Sequence, residues 1–383
     1  MVVFNLKILS LITEYNPLHN GHLYHIEQAK KVVNPDVTIV IMSGNFTQRG
    51  ELAVINKFDR AKEVIKHVDL VVELPLLSAI SYADDFARGA IHIASILGTT
   101  DLVFGSESGD ILAFKEAIKD EKKLNQSALR ELIKAGISYP RAMEKLTCNT
   151  LLAEPNNTLG LSYIKAIDEM GLNIIPHTIK RMGSGYHETH KNEAIFQSAT
   201  GLRQVLKDKE EEKAEKFMPY RLARKIIAEG VKDNEAMFTT LKTIILRSTP
   251  EELRRIYMMT EGLENRLKQC VKDSTTYEEF LTLLKTKRYT WTRLSRLLIY
   301  VLLNIKQSDV ERRQLPEAVR VLAMNATGQY YISTLKDQNI YTNVNKKSSI
   351  YFEDEIKATE IYNTLTDTTM NDFNTPVIIY RGV

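Results

Sequence analysis

The chain has 383 residues, 44% of them hydrophobic and 26% charged, which are ordinary values for a protein that buries a sizeable core. This length favours two or three domains over one. Its 51 Lys and Arg against 48 Asp and Glu leave a net charge of +3, a balance that neither demands nor excludes a nucleic-acid partner.

The predicted elements alternate from the N-terminus. Short apolar runs at Lys7–Ile12, Asp36–Gly44, Asp69–Pro75, Asp101–Glu107 and Asn173–Arg181 read as strands. Amphipathic periodicity between them predicts helices over Leu23–Val33, Lys57–His67, Ala83–Leu97 and Leu159–Met170. Apolar, β-rich runs separated by helices predict an α/β domain over residues 1–206, a doubly wound parallel sheet of Rossmann-like type. The charge run Lys207–Lys216 reads as a solvated helix or linker. Beyond it, residues 207–383 read as a mostly helical region, with "TRLSRLLIYVLLNI" as its strongest helix. Ala318–Met324 and "TPVIIYRG" are candidate strands there, and Ile356–Leu365 a further helix. The two cysteines, Cys148 and Cys270, are far apart and outside any CxxC pattern, which reads as a reducing cytoplasm without a zinc site. No apolar run approaches the roughly 18 residues of a membrane span, and the N-terminus reads as a first strand, not a signal peptide.

The stretch "EYNPLHNGHLYH", Glu14–His25, lies where the first strand gives way to a helix. Two imidazoles beside a helix N-terminus are polar groups that need partners, and a nucleotide phosphate supplies them. The helix start offers unpaired N–H groups and the positive end of its dipole. Gly21 lets the backbone approach the ligand, and Pro17 stiffens the turn. His19 and His22 would donate to an α-phosphate oxygen whose charge grows as phosphorus is attacked. Positioning and charge stabilisation are enough for nucleotidyl transfer.

"HNGH" preceded by "YNP" resembles the HxGH motif of the HIGH superfamily of nucleotidyltransferases and class I aminoacyl-tRNA synthetases. The superfamily's second motif, of the ISSTxxR type, is matched in "QSATGLR" by Ser198, Thr200 and Arg203, whereas Gln197 and Ala199 depart from it. Together with "MSGNFTQRGE", "VDLVVELP", "FARGA", "FGSESGD", "PNNTLG" and "RYTWTRLSRLL", these motifs make the whole chain resemble the bacterial tRNA(Met) cytidine acetate ligases. The resemblance implies an ATP-dependent ligase that condenses acetate with ATP to acetyl-adenylate and pyrophosphate. It then acetylates the wobble cytidine of elongator tRNA(Met) to N4-acetylcytidine. It also implies ATP contacts from Ile12, Thr13, Glu14, Tyr15, Asn16 and Pro17, and from His19, Asn20, Gly21, His22 and His25. Further contacts would come from Gly105, from Asn156 or Asn157, and from Arg181. Mg2+ would come with the ATP, and no metal held by the protein alone is expected.

Other residues carry weaker signals. Asn45, Gln48 and Arg49 follow a strand, in reach of a small anion such as acetate. Lys57 and Arg60 share a helix face and could hold pyrophosphate. "YHETH", His187–His190, has only two residues between its histidines and reads as a loop, not a metal site. "KTKRYTWTRLSR" concentrates Lys285, Lys287, Arg288, Arg293 and Arg296 without an acid. On its helix Arg293, Arg296 and Tyr300 fall on one face, and Leu294, Leu297, Leu298 and Val301 on another. One stripe would then pack while the other meets tRNA phosphates, with Tyr289 and Trp291 free to stack on unpaired bases. Two rival readings are a nucleotidyltransferase acting on a small phosphorylated cofactor precursor and a non-catalytic RNA-binding protein. The basic helical half argues against the first, and the intact His19, Gly21, His22 and Arg203 against the second. A synthetase is disfavoured because no KMSKS-like loop appears.

Overall fold

All five apolar runs of the N-terminal half form strands in the computed structural model. It describes residues 6–382 apart from 124–125, 135–138, 148–150, 152–153, 182–197, 261, 312–314 and 336–337. The strands are β1 (Ile8–Thr13), β2 (Val37–Ser43), β3 (Leu70–Leu74), β4 (Asp101–Ser106) and β5 (Ile175–Lys180). They pair in parallel in the order β5-β4-β1-β2-β3. The chain therefore winds outward from β1 to both sides, and the crevice at the carboxyl end of β1 is where such sheets bind ligands.

Strand β2 (VTIVIMS) is buried throughout because helices cover both faces of the sheet. Its Val40 and Met42 share a core with Ile26 of α1 (Asn20–Val33) and Phe58 of α2 (Lys57–Val64). Its Ile39 and Ile41, one step out of phase, pack on the opposite face with Phe86 of α3 (Ala83–Ile96) and Ile164 of α4 (Pro155–Glu169).

The boundary expected at 206/207 is not where the α/β unit ends. α5 (Ala199–Lys207) and α6 (Tyr220–Glu229) place Leu202, Val205, Leu222 and Ile226 in the same core as α1 and α2. The charge run between them forms the short helix Glu211–Glu215, with only Ala214 buried. A second core is built by α7 (Phe238–Arg247), α8 (Leu263–Cys270), α9 (Tyr277–Leu284) and α10 (Trp291–Leu303). It takes in Phe46 and Leu52 from the loop after β2. In that loop Gly50 has φ 74°, and a Cβ there would run into the backbone of Ser295 and Arg296, so glycine lets the loop lie against α10.

The chain then returns to the sheet. β6 (Val319–Asn325) pairs antiparallel with β3, and β7 (Ile340–Tyr341) and β8 (Ile378–Tyr380) pair parallel with β6. Residues 234–311 are thus a helical insertion, after which the chain adds three strands to one mixed sheet. Between β7 and β8, α11 (Glu353–Thr366) ties the return to the N-terminal unit: Tyr362 Oη donates to the Ala53 carbonyl at 2.8 Å, and Leu76 N donates to Glu355 Oε1 at 2.7 Å. Among the described residues no helix is long and apolar enough to cross a membrane.

Candidate nucleotide site

β1 ends at Ile12 and Thr13, and the "HNGH" turn follows with a cis Asn16–Pro17 peptide and Tyr15 at φ 47°. The turn is pinned from the β2 side. Gln48 N donates to Glu14 Oε1 at 2.8 Å, Val54 N to Asn16 Oδ1 at 2.8 Å, and Arg60 Nη1 to the Glu14 carbonyl at 2.6 Å. Burial pushes the Glu14 carboxyl up from its ordinary range, against the bond from Gln48.

His19 caps α1, and its carbonyl accepts from His22 N at 2.8 Å and Leu23 N at 3.1 Å. The His19 and His22 rings stack with centroids 3.6 Å apart, and the Tyr15 ring stands 4.9 Å from that of His22. One helical turn on, His25 meets the ends of β4 and β5: a Cβ added to Gly105 would lie 3.7 Å from His25 Cδ2 and 3.4 Å from Arg181 Cγ. Three strand ends and three histidines therefore converge beside one exposed guanidinium, that of Arg181.

Burial and the nearby Arg181 charge hold His19 and His25 down at about 4. His22 lies well below its ordinary value, from burial first and then from His19, Arg181 and His25. All three imidazoles are neutral at physiological pH; His22 Nδ1 accepts from His19 N at 3.4 Å, and the backbone of Pro17 and of Phe104 acts on His22 and His25. His19 Nδ1 and His25 Nε2 are buried and find no partner among the described residues. The Gly21 amide also has no acceptor there. Buried polar atoms are normally satisfied, so this set of spare nitrogens fits the oxygens of a nucleotide.

The second motif arrives at the same turn. Arg203 Nη1 donates to the Asn16 carbonyl at 3.1 Å, and Nη2 to Thr200 Oγ1 at 3.2 Å, 3.4 Å from Glu51 Oε2. Ser198 acts as the cap of α5, its Oγ accepting from Gly201 N at 3.1 Å. Gln197 and the His187–His190 segment lie outside the described residues.

Several expected ligand contacts are instead internal supports. Asn20 holds the segment after α5, through Nδ2 to Lys216 O at 2.8 Å and N to Phe217 O at 2.7 Å. Buried Asn157 accepts from Glu107 N at 3.0 Å and Ser108 N at 3.2 Å, and Asn156 donates to Glu107 Oε1, so this pair shapes the loop after β4. Asn45 is buried, accepting from Lys57 N at 2.8 Å and reaching Thr359 Oγ1 at 3.4 Å. Gln48 is half-buried and Arg49 exposed, so these two, and not Asn45, face toward solvent.

Lys57 and Arg60 do share a face, but it points inward. Lys57 is fully buried, 2.8 Å from Glu73 Oε2 and 2.9 Å from Asp372 Oδ1. Arg60 is equally buried, on the carbonyls of Glu14, Gly44 and Ile55. Neither can reach pyrophosphate. Glu73 was legible as a partner: a carboxylate inside the apolar run "VVELP" needs a buried cation.

The basic helix α10 also turns part of its polar face inward. Arg296 is buried, donating to Gln48 O at 3.3 Å and Ser81 O at 3.2 Å, with its guanidinium 4.2 Å from the Tyr82 ring centroid. Tyr300 is buried on Ile80 O at 2.6 Å. Tyr289 is buried, its Oη 2.8 Å from Thr260 Oγ1, and half-buried Arg293 stacks over it at 4.6 Å. Lys287, Arg288 and Trp291 remain exposed.

A sheet that winds both ways from β1, with an HxGH turn at its carboxyl end and a second-motif arginine on that turn, defines a HIGH-type nucleotidyltransferase. The sequence matches the HIGH Nucleotidyl Transferase family over residues 6–375. It is 44% identical over 379 residues to the tRNA(Met) cytidine acetate ligase of Staphylococcus saprophyticus, covering 97% of this chain and 100% of that one. It is 43% identical to the Staphylococcus aureus protein of the same name, over 97% and 99% of the two chains. The crystal structure of Thermotoga maritima TmcAL superposes with a TM-score of 0.89 at 32% identity, over 98% of this chain and 100% of that one. The same values hold for the form bound with alpha-thio ATP. The chain belongs to the tRNA(Met) cytidine acetate ligase family.

Proposed function

We propose that this protein joins acetate to ATP at the β1–α1 turn and passes the acetyl group to the wobble cytidine of elongator tRNA(Met) in the cytoplasm. A carboxylate oxygen of acetate attacks the α-phosphorus, the bond to the β-phosphate breaks, and pyrophosphate leaves. The cytidine amine then attacks the acyl carbon, AMP departs, and the amine gives up a proton. The observation that carries the reading is the trio of neutral imidazoles, two of them with unpartnered buried nitrogens, beside Arg181 and the Gly21 amide. His19 and His22 donate to the oxygens on which charge develops, and Arg203 fixes the turn that carries them. Arg181 and Gly105 border the nucleotide on the β4 side, and Mg2+ accompanies the triphosphate. The reading is supported by membership of the family and by the alpha-thio ATP held by the Thermotoga relative.

Acetate-dependent ATP–pyrophosphate exchange tests it. Exchange should appear with acetate and fall with each added methylene by about 1–3 kcal/mol of discrimination, as a pocket sized for one methyl group requires. Exchange indifferent to acetate would overturn the reading.

A further inference from the structure

A cleft of about 410 Å³ opens between the loop after β2 and helices α9 and α10, bordered by Arg49, Glu51, Tyr277, Trp291 and Ser295 among others. It is joined to the nucleotide turn by two short chains of contact. Glu51 touches Arg203, which holds the Asn16 carbonyl, and Gln48, next to Arg49, donates to Glu14. The cleft lies on the β2 side of β1, whereas Gly105 and Arg181 border the turn on the β4 side. A second substrate seated there would approach the turn from the β2 side.

The cleft carries an aromatic and a cation where a folded core needs neither. Trp291 is the only tryptophan of the chain and is 49% exposed at the start of α10, where burial would be favourable. Its position is set by Thr290, which caps the helix by accepting from Arg293 N at 3.3 Å. Lys285 Nζ stands 5.5 Å from the indole centroid, and Lys287 and Arg288 are exposed just before it. Arg49 is exposed and donates to no carboxylate among the described residues. Asn234 in the lining is already spent on Leu52 N and Gly50 O. A flat aromatic surface with Arg49 and Lys285 beside it, and with the carboxylates of Glu51 and Glu278 in the lining, offers one unpaired base a face to stack on and both donors and acceptors for its polar edge, in a space too small for a duplex.

Resting on the function proposed above, we infer that this cleft receives the target cytosine, turned out of its loop and stacked on Trp291, with the Arg49 guanidinium open to its carbonyl oxygen or its phosphate. Enzymes that act on a base take it out of the stack in this way. Trp291 is then a positioning residue for the acceptor and has no part in forming the adenylate.

The single tryptophan makes the test direct. Full-length protein is titrated with elongator tRNA(Met) carrying cytosine at the wobble position, and with the same tRNA made abasic there, following Trp291 emission and filter binding together. The cytosine tRNA should quench the emission, and the abasic tRNA should bind within a few-fold yet leave it nearly unquenched. Trp291→Leu should lower kcat/KM for tRNA about 10-fold or more with acetate-dependent exchange unchanged, and Trp291→Phe should recover much of the loss. Equal quenching by both tRNAs, or wild-type kcat/KM in Trp291→Leu, would overturn the inference. Failure of the wild-type protein to carry out exchange or to bind tRNA would overturn the functional reading itself, and the occupant with it.

Discussion

His22→Ala lowers acetate-dependent ATP–pyrophosphate exchange about 100-fold or more while leaving the fold and tRNA binding near normal. A donor aimed at developing charge is typically worth roughly 10²- to 10³-fold in rate, and His22 shares its place with stacked His19. Alanine is a good helix former at the start of α1, so the change removes the imidazole without unsettling the element. The protonation state is part of this expectation. His19 and His25 are held at about 4 against roughly 6.5 for a solvated histidine. Above 6.5 the rings are neutral in both folded and unfolded chains, and stability is complete. As pH falls from 6.5 toward 4 the unfolded chain takes up protons that the folded one refuses, so stability is lost in that window. Urea midpoints at pH 7 and pH 5, read beside exchange rates, check both parts. Undiminished exchange in His22→Ala contradicts the role given to the turn.

Lys57→Met destabilises the protein by about 3–5 kcal/mol, because it strands the buried Glu73 carboxylate without its cation and leaves Asp372 only the Arg320 guanidinium, 4.0 Å away. The flanking carboxylates hold the Lys57 ammonium above its ordinary value, against the pull of burial, so the native group is charged. Asp372 follows α11 near the end of the chain, and Arg320 of β6 donates to its carbonyl at 3.2 Å. The loss is therefore felt where the C-terminal strands join the sheet. The double change Lys57→Met with Glu73→Leu should recover part of it, since an apolar pair of similar volume carries no desolvation cost. Chemical unfolding of the three forms measures this. A Lys57→Met protein of normal stability with a raised KM for pyrophosphate would restore Lys57 to the ligand set.

Much of the fold was legible because its signals are local. Five apolar runs bounded by turn residues gave five strands within a residue or two, and "HNGH" falls at the first strand–helix junction, as its pattern required. Orientation was not legible. The spacing that put Lys57 with Arg60, and Arg293 with Arg296, onto common faces is correct, but whether a face is wet depends on what covers it. Arg296 and Tyr300 find the carbonyls of Gln48, Ser81 and Ile80, supplied by loops more than two hundred residues earlier. The return of β6 to the sheet was hidden for the same reason. "AVRVLAM" read as a strand, but its antiparallel partner β3 is not close in sequence. His25 and Arg181 could be tied to the site only by resemblance, since the end of β4 brings them together and no spacing in the chain does.

In the proposed reaction acetate, activated with ATP, ends on a tRNA cytidine. Nucleoside mass spectrometry on elongator tRNA(Met) incubated with the protein, ATP and carbon-13 acetate tests it most directly. The expected result is labelled N4-acetylcytidine confined to the wobble position, with one AMP formed for each acetyl group transferred. Unlabelled tRNA despite AMP release, or the same product from acetyl-CoA without ATP, would contradict it.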